Sequence, residues 1–300
     1  MKYRVCVPAS SANLGPGFDA LGLALDLHLV CTVESCDCLT ITASGVDPAE
    51  IPEDESNLIW QTALQVAADE NAGLPPIKLD IANSIPIGKG LGSSAAALTA
   101  GVVIASQFLE LNWSRHQVLN EAAKIEGHPD NVSACVLGAV VASSMEPDGQ
   151  THAVRIELPA NYGVAAVVPE FVLSTTKARS VLPDTYSRSD AVFNVQHSAL
   201  LIAALCTGST ESFSAALQDK IHQPYRAPLI PGFAEMLDLH KPGLLGCALS
   251  GSGPSVLVFY ERGSESVTQC FEQLFAKHGT PAKTYFTEIQ RNGYTLEKLA

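Results

Sequence analysis

Positive charge is scarce in this 300-residue chain. Eighteen Lys and Arg stand against 31 Asp and Glu, a formal net charge of -13, and no dense basic cluster occurs. A polyanion would be repelled overall, so no nucleic-acid partner is expected. Thiol motifs are missing as well. The eight cysteines are scattered without a C-x-x-C, and Cys36-x-Cys38 has no second half at zinc-finger spacing. They read as reduced thiols used as small hydrophobes. The longest apolar run, Ala95 to Leu111, is broken by Thr99, Ser106, Gln107 and Glu110, so it reads as a buried helix and not a span. The opening MKYRVCVPASSANLGPGFDALG meets Pro and Asn before any apolar signal region. No signal peptide and no membrane partner are expected, and the expected location is the cytoplasm.

Two familiar catalytic scaffolds are also absent. Gly88-Lys89 lacks the flanking residues of G-x-x-x-x-G-K-[ST], and Ser252 follows Ser250-Gly251 without forming G-x-S-x-G. A Walker-type loop and a serine-hydrolase elbow are therefore both excluded.

What the chain does have is the composition of a folded protein, 47% hydrophobic and 16% charged, with length for a sizeable core. Strands are predicted over 3–9, 27–35, 77–86 and 162–170, a hairpin turns around Pro147 to Gln150, and a last strand lies near 283–289. Helices are predicted over 56–73, 95–111, 114–127, 188–208, 209–223 and 264–279. Mixed elements with hairpins favour an α+β class over a doubly wound sheet. A division is placed at 1–155 and 156–300.

The most informative stretch is PIGKGLGSSAA, covering Pro86, Ile87, Gly88, Lys89, Gly90, Leu91, Gly92, Ser93, Ser94, Ala95 and Ala96. It runs from a strand through a glycine-rich loop into a helix. Without Cβ atoms, Gly88, Gly90 and Gly92 let backbone N–H groups approach a ligand, and the helix start favours an anion. Two readings remain open on this pattern: a phosphate site, or a tight turn with Ser93 or Ser94 capping the helix.

This loop resembles the ATP loop of the GHMP small-molecule kinases, which include the galactokinase, homoserine kinase and mevalonate kinase families. VPASSANLGPGFDALGLAL (7–25) resembles their N-terminal substrate segment, and LSGSGPSVLVF (249–259) their C-terminal glycine motif. Finer text, in SSANLGPGFDALG, EGHPDNV, STTKARSVLP and IHQPYR, is similar to the homoserine kinase branch.

The resemblance implies a two-domain α+β fold, an N-terminal domain like one in ribosomal protein S5 and a C-terminal ferredoxin-like domain, with the site between them. It implies ATP and Mg²⁺ as cofactors and L-homoserine as substrate. Asn13 and Asp19 would receive the ammonium, and Arg179 and Arg226 the carboxylate, which a guanidinium holds in bidentate fashion. Ser94 and Glu126 would hold Mg²⁺; a carboxylate at the C-terminal end of a helix is otherwise electrostatically poor. Asn131 would position the hydroxyl, with Asp130 as an alternative general base. Lys89 could reach a phosphate or simply be solvated, and Asn57 could touch adenine or cap its helix. His128 reads as structural. By analogy two chains could pair as a homodimer. A kinase for another alcohol, and a non-catalytic metabolite-binding relative, are the alternatives.

Overall fold

The computed structural model describes residues 1–159 and 162–300. In the first half, β1 (Lys2–Ala12) and β2 (Leu21–Ser35) form a long antiparallel pair, followed by β3 (Thr40–Gly45). Then come α1 (Leu58–Asp69), β4 (Ile77–Asn83), α2 (Ser93–Phe108), α3 (Arg115–Glu126) and α4 (Asp130–Leu137). The hairpin β5 (Val140–Met145) and β6 (Thr151–Ile156) closes this half. β2 is long enough to pair with β4 through residues 29–35 and with β5 through residues 21–23. All these pairings are antiparallel except β3 with β4.

The second half runs through β7 (Tyr162–Pro169), α5 (Thr175–Ser180), α6 (Arg188–Thr207), α7 (Phe213–Ala216), α8 (Gln223–Arg226) and α9 (Phe233–Leu237). It ends with β8 (Leu244–Leu249), β9 (Val256–Glu261), α10 (Thr268–Lys277), β10 (Ala282–Thr287) and β11 (Thr295–Leu299). Its sheet has the order β10-β7-β9-β8 and is antiparallel throughout. β11 leaves this half and pairs with β1, covering an edge that would otherwise expose unpaired backbone groups. The segment predicted over 156–300 thus returns its last strand to the first sheet.

Period-two burial explains how the layers meet. On one face of the second sheet Val164, Ala166, Leu257 and Phe259 join Leu201, Leu205 and Phe213 in the large core, which continues into the first sheet. On the other face Ala165, Val167, Val256 and Val258 pack with Phe233, Phe271 and Phe275 of α9 and α10. β7 is buried along its whole length because both faces are covered. α6 is long and apolar enough by length and composition to cross a membrane, but its Leu201, Ala204 and Leu205 lie in the protein core.

Several local outcomes differ from the sequence expectations. The helix predicted over 209–223 is two short helices, α7 and α8, with Asp219 between them accepting the backbone N–H groups of Ile221, His222 and Gln223. Side chain–backbone bonds of this kind compete with helix continuation. β3, α4, α5, α9 and β11 had no counterpart in the sequence reading. The predicted helix 114–127 is capped at both of its ends: Ser114 forms a capping box on α3, with Gln117 as its unforeseen partner, and Gly127 closes it at φ 83°.

Candidate active site

A cleft of about 490 Å³ opens between the two sheets, lined from both halves of the chain. Asn13, Asp19, Asn57, Glu126, Asp130, Asn131, Arg179 and Arg226 line it, together with Ile87, Gly88, Gly90, Gly92, Ser93, Ser94 and Ala95. Pro86, Lys89, Leu91 and Ala96 do not. Leu91 and Ala96 are fully buried in the core beneath the loop.

The start of α2 settles the question of capping within the protein. Its N-cap is Gly92, in the left-handed region at φ 69°, and no side chain caps the helix. The first intrahelical bond runs from the Ala96 N–H to the Gly92 carbonyl, and the amides of Ser93 to Ala95 have no hydrogen-bond partner among the described residues. α1 is the contrast: Asn57 accepts from the N–H groups of Ile59 and Trp60 and donates through Nδ2 to the Pro52 carbonyl at 2.7 Å. Asn57 is a helix cap that also lines the cleft.

Glycine is required at two loop positions by both conformation and space. A Cβ on Gly92 would collide with the Ser10 hydroxyl, and one on Gly90, at φ 79°, with the Ser250 and Gly253 carbonyls. The Ser250 hydroxyl clamps the loop from behind, bonding the Gly90 carbonyl at 2.7 Å. Gly92→Ala is expected to raise KM for ATP about tenfold or more, because strain of about 1–3 kcal/mol and a displaced backbone fall on the amides that face the ligand. A titration with a fluorescent ATP analogue checks this; unchanged affinity would contradict it.

Lys89 is corrected by the structure. Its ammonium donates to the Pro169 and Phe171 carbonyls at 3.0 and 2.9 Å, and burial lowers its pKa. Two of its three N–H donors tie the loop to the end of β7, and the residue does not line the cleft.

Asp19 and Arg179 form a bidentate pair, with contacts of 2.8 and 3.1 Å. Burial would lower the Arg179 pKa, but the Asp19 carboxylate outweighs it and the net shift is upward. Asp19 sits at φ 53°, its N–H held by Asn13 Oδ1, while Asn13 Nδ2 donates to the Gly251 carbonyl. Arg226 is 2% exposed. Burial, then the nearby Arg179, brings its pKa down to about 10, so it stays charged at neutral pH. Nε donates to the Ala178 carbonyl and Nη1 to the Gly251 carbonyl, while Nη2 has no partner among the described residues.

At the end of α3, Glu126 has no hydrogen bond among the described residues, and its closest basic atom is His128 Nε2 at 3.9 Å. Burial pushes its carboxyl pKa up, the His128 charge opposes this, and Asp130 adds to it. His128 is the residue that sequence reasoning undervalued: it lines the cleft and binds Asp130 Oδ1 at 2.8 Å. Burial disfavours its protonated form, yet Asp130, Glu126 and Asp19 together raise its pKa. Ser10 was also missed, although it lies in the quoted N-terminal segment. Its hydroxyl donates to Asn131 Oδ1 at 2.9 Å and underlies Gly92, linking the loop to Asn131.

Ligand atoms of Asp19, His128 and Asp130 come within 4.8 Å of one another, a grouping that could hold a metal ion. Asp19 is already neutralised by Arg179, and His128 by Asp130. Glu126, a partly buried oxygen donor without a hydrogen-bond partner among the described residues, fits a hard divalent cation better.

This arrangement joins an uncapped helix start to a site with opposite charges in the same cleft. Residues 57–139 match the GHMP kinases N terminal domain, and residues 201–277 the GHMP kinases C terminal family. A homoserine kinase of Solibacter usitatus is 57% identical, the alignment covering 99% of this chain and 97% of that one. The chain belongs to the homoserine kinase family of GHMP kinases. A second relative, a homoserine kinase of Deinococcus radiodurans, is 42% identical over 98% of this chain and 97% of its own. The crystal structure of homoserine kinase from Cytophaga hutchinsonii superposes with a TM-score of 0.81 at 29% identity, covering 99% of this chain and 97% of that one. Membership of this family makes the protein a kinase that uses ATP, on the two-domain α+β fold of the GHMP kinases.

Proposed function

We propose that this protein transfers the γ-phosphoryl group of ATP to the side-chain hydroxyl of L-homoserine, giving O-phospho-L-homoserine and ADP, a step towards threonine made in the cytoplasm. One observation carries the reading: the uncapped start of α2 and the Asp19, Arg179 and Arg226 charges line a single cleft. The amides of Ser93 to Ala95, aided by the helix dipole, hold the phosphates. Asp19 takes the substrate ammonium, and Arg179 and Arg226 its carboxylate. The Asp19–Arg179 pair keeps both charges compensated until a zwitterion with the same two charges enters.

Asn131 is held by Ser10 through Oδ1, and its Nδ2 is only 3.5 Å from Asp130, so it keeps donor capacity for the substrate hydroxyl. Asp130 Oδ1 is filled by His128 and the Asn131 N–H, while Oδ2 has no hydrogen bond among the described residues. Oδ2 is where the hydroxyl proton can go as the new P–O bond forms and the bond to ADP breaks. A loose transition state asks little of a base, so positioning and charge neutralisation supply most of the rate. Glu126 and Ser94 would hold Mg²⁺, which neutralises charge on the phosphates when bound.

ADP release measured on a panel of L-homoserine, L-serine, mevalonate and galactose tests the reading. Turnover of L-homoserine well above the others is expected. Turnover of mevalonate or galactose alone would overturn the substrate, and turnover of none would favour a non-catalytic relative.

A further inference from the structure

Below the cleft lies a polar network that the reaction scheme leaves without a task. His222 is fully buried, with Nε2 2.8 Å from the Gly15 carbonyl and Nδ1 3.2 Å from Arg226 Nη1. A carbonyl only accepts and a guanidinium only donates, so Nε2 carries the proton and Nδ1 is bare. Only one neutral tautomer satisfies both neighbours. Burial, with the Arg226 charge adding to it, keeps the His222 pKa below its ordinary value, although Asp219 pulls the other way. The Phe18 ring stacks on the imidazole at 5.3 Å, and the Arg226 guanidinium lies 5.4 Å from the same ring.

We propose that His222 is a positioning residue, whose bare Nδ1 fixes Arg226 for the substrate carboxylate while its Nε2–H ties the Asn13–Asp19 loop to the same frame. The inference rests on the L-homoserine reading above. It deepens that reading by naming the group that sets the distance between the two ends of the zwitterion site.

Three acceptors from three segments hold the guanidinium: Ala178 of α5, His222 before α8, and Gly251 in the turn after β8. They occupy Nε and Nη1 and leave Nη2 for a ligand. Arginine carries much rotamer entropy, and ordering it before the substrate arrives removes that cost from binding. His222 is itself anchored. Asp219 accepts the N–H groups of Ile221, His222 and Gln223, and also Asn194 Nδ2 at 2.7 Å. Asn194 and Ser198 donate to the Pro16 carbonyl, so the loop carrying Asp19 is held at Gly15 and Pro16 from the same network. Volume alone would be filled by leucine. The histidine supplies an acceptor where a buried cation needs one and a donor where a buried carbonyl needs one.

Two near-isosteric variants separate the bonds. His222→Gln places an amide near Nε2, keeping the Gly15 bond and losing the acceptor for Arg226. His222→Asn places a carbonyl oxygen near Nδ1, with the opposite effect. His222→Gln is expected to raise KM for L-homoserine about 30-fold, the worth of a hydrogen bond to a charged group, with kcat and KM for ATP little changed. His222→Asn keeps the Arg226 acceptor and loses only the Gly15 tie, so it should raise that KM less, about three- to tenfold. In an Arg226→Met background the Gln substitution should cost less than about threefold, since the two residues act as a unit. Equal losses in the two backgrounds, equal behaviour of the Gln and Asn variants, or a shift mainly in KM for ATP would each overturn the proposal. Failure of the parent enzyme to phosphorylate L-homoserine would instead defeat the reading on which it rests.

Discussion

Replacing Arg226 by methionine is expected to lower kcat/KM for L-homoserine about a thousandfold while KM for ATP stays within about twofold. The magnitude follows from removing one member of a desolvated charge contact, which costs about 2–5 kcal/mol when the partner charge is left in place. On the proposed function the partner is the substrate carboxylate, and Arg226 is 2% exposed, so water cannot take over. Methionine keeps most of the stem volume, which limits repacking beside Phe18 and Ala178. Arg226→Lys should fail nearly as badly, because a single ammonium cannot reach the Ala178 and Gly251 carbonyls and a ligand together. Steady-state kinetics with each substrate varied in turn decides the matter. Loss in KM for ATP instead would move Arg226 to the wrong end of the cleft.

Glu126→Gln is expected to lower kcat at least about 100-fold and, at the same time, to raise Tm by a few degrees in metal-free buffer at pH 7.5. The two effects share a cause. A largely desolvated carboxylate, its side chain 15% exposed and without a hydrogen bond among the described residues, at the negative end of α3, is costly to the fold and available to a cation. Its folded-state pKa is raised above the ordinary value of 4.5, so the protonated form is favoured by folding. Below about pH 4.5 both states are protonated and no penalty remains. As pH rises through 4.5 and then through the folded value, the wild type loses stability that the uncharged Gln variant keeps. Thermal melts from pH 4 to 8 should therefore show the two proteins converging at the acid end. A variant no more stable at pH 7.5 would mean that Glu126 is already compensated, and would weaken its assignment to Mg²⁺.

Much of this was legible because its causes are local. The glycines before Ser93 announce a loop that side chains would obstruct, and Ser114 and Gly127 bracket α3 within 14 residues. Fold class and family followed from segments read in order along the chain. What was illegible depends on partners far away in sequence. β11 is a mostly exposed strand whose identity comes from pairing with β1, at the opposite end of the chain. Lys89 sits in the right loop for a phosphate, and only the carbonyls at the end of β7 show where its charge goes. The break between α7 and α8 is made by Asp219, which reads from sequence as one more polar residue on a helix. His222 lies within the quoted IHQPYR, but its role does not show there, because its tautomer is set by distant Gly15 on one side as well as by Arg226 on the other.

A crystal structure with a non-hydrolysable ATP analogue, magnesium and L-homoserine tests the central claim most directly. The predicted result has phosphate oxygens within hydrogen-bond distance of the Ser93 to Ala95 amides, and the amino acid beside Asp19 and Arg226 with its hydroxyl towards Asn131. Phosphates bound anywhere else in the cleft, with the start of α2 left bare, would contradict the account.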